Sequence, residues 1–229
     1  MASLTWLGHA SFRIDTDSGK RIYVDPFLTH NPKTPDDEKQ PERVDVIALT
    51  HGHGDHVGDT ADLKKRFPDA EIVAQVELKG WLESQGVDVG KVPGPNKGGS
   101  QEVGGVRFTL VNAFHSSSAD DGTYTGEACG IVVRLETGQS IYFAGDTCVF
   151  GDMALIARLY KPDVAVLPIG DHFTMGTDEA ALALELLGNP RCVPCHWGTF
   201  PLLPGNPDEL AQKTPATVER IEPGDSIDL

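Results

Sequence analysis

The sequence predicts an α/β protein with sheets in the middle and helices outside. Two observations carry this. Short apolar or alternating runs, separated by Gly, Pro, Asp and Asn, recur along the whole chain. After residue 151 the pattern becomes helix, strand, helix, strand. Strands of this kind bury one face on each other and cover the other with helices. At 229 residues the chain is long enough for a substantial core, and it reads as one domain spanning 1–229, without repeats or low-complexity tracts.

Taken in order, Phe12 and Ile14 alternate with polar neighbours, and Asp17-Ser18-Gly19-Lys20 turns the chain into Arg21–Val24 as a hairpin. Residues 29–43, with Pro32, Pro35, Pro41 and many charges, form an exposed loop near the mouth of any site. Val44–Thr50 is an apolar run read as a buried strand. Asp59–Phe67 reads as a helix stopped by Pro68, and Val76–Gln85 as another stopped by Gly86. Ser100–Ala113 makes a hairpin around Gly104-Gly105, and Gly130–Glu136 with Gln139–Ala144 makes a third around Thr137-Gly138. A helix over 152–160 ends before Pro162, and Asp163–Ile169 is a strand. Thr177 is expected to N-cap a helix with Asp178 and Glu179 in its first turn, where they favour the helix dipole. Gly188 ends it, and Arg191–Cys195 is the next strand.

Against 19 Lys and Arg stand 34 Asp and Glu, a formal net charge of −15. Nucleic acids and anionic membranes are bound through basic patches, so neither is an expected partner. Solubility explains the charge, and a salt-adapted host would explain it too. No secretory signal or membrane-spanning run is visible, which predicts a cytoplasmic protein. Cys129, Cys148, Cys192 and Cys195 are expected to be reduced. Cys192-Val193-Pro194-Cys195 has C-x-x-C spacing, but it lies in a strand-like run and reads as packing.

The chemistry concentrates in His51-Gly52-His53-Gly54-Asp55-His56, three imidazoles and a carboxylate directly after the buried run. These are borderline ligands that suit zinc, manganese, iron or nickel. The glycines are expected to let the backbone take left-handed or bridge conformations, so that neighbouring side chains turn toward one centre. His115, Asp146 and His196 likewise follow the strands 106–113, 139–144 and 191–195. Functional groups gather along the C-terminal edge of such sheets. His172 follows strand 163–169 and is a candidate donor to an oxyanion or leaving group. His9 is a candidate to face the pocket, and His30 reads as surface.

His51–His56 resembles the HxHxDH signature of the metallo-β-lactamase superfamily. The strings Trp6-Leu7-Gly8-His9-Ala10-Ser11, Asp25-Pro26-Phe27-Leu28, His115-Ser116-Ser117, Ala144-Gly145-Asp146-Thr147 and Ile169–Gly176 extend the resemblance over nearly the whole chain. Together they are similar to a small metal-dependent hydrolase branch related to ascorbate-6-phosphate lactonases.

The resemblance implies a four-layer αββα sandwich and two divalent metal ions, zinc first, with manganese, nickel and iron also suited. It places His51, His53 and His115 on one ion, Asp55, His56 and His196 on the other, and Asp146 on both. Asp25 would hold a ligand imidazole, and Asp55 would also orient the nucleophile and carry its proton. The implied activity is hydrolysis by metal-bound hydroxide of a small ester or lactone, phosphorylated or carboxylated. The expected partner is therefore a small anionic molecule, and a homo-oligomer is compatible with the sequence. The alternatives are a phosphodiesterase or nuclease with the same centre and a non-catalytic metal-binding protein. A redox di-iron protein is a further class, but such proteins carry Glu and Asp where this chain has His53 and His56.

Overall fold

Period-two burial sorts the side chains into layers. Ile22 and Val24 share one core with Ile131, Val133, Val164 and Val166, whereas Tyr23 belongs to a second core and Val132, Ala165 and Leu167 to a third. Two sheets therefore face each other, and each turns its other face to helices. The computed structural model describes residues 1–229.

The first half contains β1 (Ser3–Trp6), β2 (Phe12–Asp15), β3 (Arg21–Val24), β4 (Val46–Ala48), α1 (Gly54–Val57), α2 (Thr60–Arg66), β5 (Glu71–Val73) and α3 (Val76–Ser84). The second contains β6 (Ser100–Val103), β7 (Val106–Asn112), β8 (Cys129–Arg134), β9 (Ser140–Phe143), α4 (Met153–Tyr160), β10 (Val164–Pro168), α5 (Thr177–Leu186), β11 (Arg191–Cys195) and α6 (Pro207–Lys213). A last strand, β12 (Ser226–Asp228), returns to pair antiparallel with β1. The sheets run β12-β1-β2-β3-β4-β5 and β11-β10-β9-β8-β7-β6. β3, β4 and β5 are mutually parallel, as are β9, β10 and β11, and the remaining pairs are antiparallel. This is the αββα sandwich of the metallo-β-lactamase fold.

The three expected hairpins form, and Gly104 and Gly105 both take positive φ (57° and 85°) in the tight β6–β7 turn. Thr177 is not the cap of α5. It is the first helical residue; Gly176 caps the helix, and the Thr177 hydroxyl turns to Glu209 and Lys213 of α6 instead. The C-x-x-C pair is divided between layers, because residues three apart on a strand face opposite sides: Cys195 lies between the sheets and Cys192 under the helices. All four cysteines are free. No helix is long and apolar enough to cross a membrane.

Phe12 of β2 and Phe143 of β9 meet edge-to-face across the sheet interface, with ring centroids 5.7 Å apart. Phe12→Ala should destabilise the fold by about 3–5 kcal/mol in urea unfolding. A double-mutant cycle with Phe143→Ala should return a coupling of about 0.5–1.5 kcal/mol. Strict additivity would show that this aromatic pair does not couple the sheets.

Candidate metal centre

Strand direction decides where the site lies. β1 and β3 flank the antiparallel β2, so they run the same way as β4. By the same count β7 runs with β9, β10 and β11. His9, Asp25, His51, His115, Asp146 and His196 all follow strands of these two sets, so each sheet delivers them at a single edge. The sheets are joined at that edge by Cys129, whose backbone N–H and thiol both donate to the Thr50 carbonyl (3.1 and 3.0 Å).

One turn of helix, α1, folds the HxHxDH segment back on itself; the His56 N–H donates to the His53 carbonyl. His51, His53 and His115 then bring one ring nitrogen each to within 4.8 Å of one another. Asp55, His56 and His196 converge in a second group together with His9. Asp146 lies between the groups. Its Oδ2 is 3.6 Å from His115 Nε2, 3.4 Å from His56 Nε2 and 3.2 Å from His196 Nε2.

Gly52 and Gly54 serve a different purpose from the one expected. Neither has a positive φ. A Cβ on Gly52 would lie 2.0 Å from Thr125 Oγ1, and one on Gly54 would lie 2.6 Å from Asp120 Oδ2. The glycines let the 117–125 loop close against the ligand segment, where Ser117 Oγ accepts from the Gly52 N–H. Left-handed backbone occurs instead at His9, Asp25 and His196 (φ 54°, 48° and 55°), a conformation held only where surrounding contacts enforce it.

Hydrogen bonds behind the ligands select their tautomers. Asp25 Oδ2 accepts from His56 Nδ1 (2.8 Å) and from Thr50 Oγ1 (2.6 Å). With its own proton committed to Asp25, the Thr50 hydroxyl accepts from His51 Nδ1 (3.0 Å). Nδ1 of each ring is thereby taken, which leaves Nε2 as the atom turned toward the centre. Thr50 was not singled out in the sequence, although its place directly before the motif was the available signal.

The charges of the two groups differ. Burial, then the neighbouring imidazoles, lowers His51 well below its ordinary value, and burial also lowers His53 and His115. Burial works against charge on His56 and His196 as well, but Asp146 outweighs it, pushing His196 up to about 9 and His56 well above its ordinary range. Burial likewise opposes ionisation of Asp146, and the imidazoles of His196 and His56 overcome it. Asp55 is held low against burial by His56, His196 and His9.

The residues fit a metal. Four buried atoms, His56 Nε2, Asp146 Oδ1 and both ring nitrogens of His196, have no hydrogen-bond partner. The contacts of His56 and His196 with Asp146 are short enough for ion pairing but misaligned for hydrogen bonds. An unsatisfied buried polar atom costs about 1–3 kcal/mol, and the unpartnered Nε2 atoms of His56 and His196, each within 3.4 Å of Asp146 Oδ2, are donors of the type a metal cation takes.

The structure brings all seven expected ligands together. It does not bring His172 to them. The chain turns at Asp171 (φ 72°), leaving His172 exposed with its ring edge-on to Phe173 at 4.6 Å. His30 is exposed, whereas His9 is fully buried with Nε2 2.8 Å from Asp55 Oδ2.

A family model described as a beta-lactamase superfamily domain matches residues 20–197. A UPF0173 metal-dependent hydrolase of Herpetosiphon aurantiacus is 48% identical over 91% of this chain and 88% of its own. Another from Rubrobacter xylanophilus is 50% identical over 90% and 86%. Igni18, a metallo hydrolase from Ignicoccus hospitalis, superposes with a TM-score of 0.87 at 34% identity, covering 99% of this chain and 97% of its own. The fold and the site define a member of the metallo-β-lactamase superfamily. Within it, the chain belongs to the UPF0173 metal-dependent hydrolases.

The charge asymmetry has a measurable sign. A ligating imidazole must be deprotonated, so at pH 7.5 metal binding to the neutral His51, His53 and His115 should release few protons. Binding at His56 and His196 should release about one to two. Zinc titrations of chelator-treated protein in buffers of different ionisation enthalpy measure this. The folded value for His196, about 9, lies above its ordinary 6.5. Its stabilisation of the metal-free fold is therefore complete below about 6.5 and lost as pH rises through about 9. Zinc binding without proton release at pH 7.5 would contradict the raised values of His56 and His196.

Proposed function

We propose that the chain is a dinuclear metallohydrolase acting on a small ester or lactone. The observation that carries the reading is Asp146 Oδ2, placed within 3.2–3.6 Å of nitrogens from both ligand groups, as a shared carboxylate would be. His51, His53 and His115 would hold one ion, Asp55, His56 and His196 the other, and Asp146 both. When bound, such a pair supplies Lewis acidity that acidifies water and stabilises developing negative charge. The His and Asp donors suit zinc, with manganese, nickel and iron as the other candidates.

The protein residues supply order. Asp25 and Thr50 keep the ligand imidazoles in one tautomer and orientation. The Asp55 side chain is 34% exposed, against 4% for Asp146, so it is the ligand carboxylate open to an incoming molecule. Its outward oxygen is suited to accept a hydrogen bond from the attacking water and to pass a proton to the leaving group.

A cleft of about 500 Å³ opens beside the ligand segment, a volume suited to a small molecule. Phe27, His30 and Trp81 line it together with Asp59, Asp62, Asp120 and Asp121.

Protein purified without chelator should contain about two metal equivalents. Asp146→Ala should abolish hydrolysis and loosen both ions, whereas His196→Ala should empty one subsite. Elemental analysis and turnover of esters, lactones and phosphodiesters on the same preparations check this. Saturation at one equivalent, or an Asp146→Ala variant with normal metal content and turnover, would contradict the dinuclear reading. Turnover of phosphodiesters alone would contradict the substrate class.

A further inference from the structure

We propose that His9 is a positioning residue for one metal half-site, that of Asp55, His56 and His196, and leaves the half-site of His51, His53 and His115 untouched. The inference rests on the dinuclear reading and refines it.

His9 sits in the loop between β1 and β2, where Gly8 (φ 92°) and His9 (φ 54°) are both left-handed. Gly8 cannot be replaced cheaply, since a Cβ there would lie 2.9 Å from Lys33 Cβ. This backbone holds the His9 ring inside the protein, 0% exposed, with its centroid 4.0 Å from that of His196. Phe27 and Phe200 pack edge-on against it at 5.9 and 5.6 Å.

Both ring nitrogens are engaged. Nε2 is 2.8 Å from Asp55 Oδ2, and because a carboxylate can only accept, Nε2 carries the proton. Nδ1 is 3.0 Å from Thr199 Oγ1, whose hydroxyl can donate to it and so keep the proton on Nε2. The only other acceptor of that hydroxyl is the Trp197 carbonyl at 3.4 Å. The His9 carbonyl is engaged as well, accepting from Trp6 Nε1 and from the His196 N–H, each at 2.9 Å.

One residue thus holds two ligands, Asp55 by its side chain and His196 by its backbone. Asp55 follows β4 of the first sheet and His196 follows β11 of the second, so His9 links the sheets at that half-site. The oxygen it grips is the one facing the other ligands: Asp55 Oδ2 lies 3.6 Å from His196 Nε2 and 4.0 Å from His56 Nε2. His51, His53 and His115 form no hydrogen bond with His9; His51 is held by Thr50 and His53, and His53 also meets Ser116 Oγ at 3.3 Å.

The test is zinc affinity in the full-length chain, read by competition with a chromophoric chelator. His9→Leu and His9→Gln bear the same left-handed backbone, and only Gln keeps an N–H donor. Loss of such an outer hydrogen bond weakens metal binding by about 10–100-fold. His9→Leu should show that loss at one zinc and wild-type affinity at the other, with His9→Gln recovering most of it. In a His196→Ala background the remaining zinc should be insensitive to His9→Leu. Should His9→Leu fail to fold by circular dichroism, Thr199→Val carries the test, with about tenfold weaker binding at the same subsite. Two zincs in the wild type, both held normally in His9→Leu or in Thr199→Val, would overturn the inference alone, as would equal weakening of both. A wild type saturating at one zinc would overturn the dinuclear reading and the inference with it.

Discussion

The structure depends on burying a carboxylate, Asp146, among imidazoles at the junction of two sheets. A buried ion without partners is expensive, and Asp146 is 4% exposed. Its neighbours come from three different strand ends, so the site exists only while both sheets keep their register. The sandwich and the centre are therefore one construction. The apolar side chains between the sheets bring the edges together, and the polar groups at the edge require that alignment.

Strand direction explains why one edge is so rich. The parallel runs β3-β4-β5 and β9-β10-β11 send every return connection over the helical faces, and their C-terminal ends accumulate loops. Loops that leave buried strands can bend sharply without disturbing the core. The left-handed residues His9, Asp25 and His196 occur at such exits, where hydrogen bonds to Asp55, Thr50 and the His9 carbonyl hold them in place. Substrate preference would lie further out, in the loops that close over Gly52 and Gly54.

The candidate ligands were legible in the sequence because metal chemistry limits the residue types and the strands before them are strongly apolar. The hairpins were legible because turn glycines punctuate period-two runs. The short elements β1, β5, β12 and α1 were missed, because unlike the equally short β2, β3, β6 and β9 they are not paired around a sequence-local turn that marks them. The helix α6 was missed although Asn206-Pro207 is a readable start, with Asn206 Oδ1 accepting from the Asp208 N–H. The supporting contacts were hidden for a different reason. Thr199 meets His9 across 190 residues of chain, and no local pattern announces such a pair. Gly52 and Gly54 were correctly noticed but for the wrong cause, because close approach by another loop leaves no trace in the backbone's own sequence.

A dinuclear centre would place Asp146 between two metal ions. Anomalous X-ray diffraction from crystals of the zinc-loaded protein, recorded on both sides of the zinc absorption edge, tests it most directly. Two peaks about 3.5–4 Å apart are expected, one beside His51, His53 and His115 and the other beside Asp55, His56 and His196, with the Asp146 carboxylate between them. A single peak at full zinc loading, or two peaks with Asp146 touching only one, would contradict it.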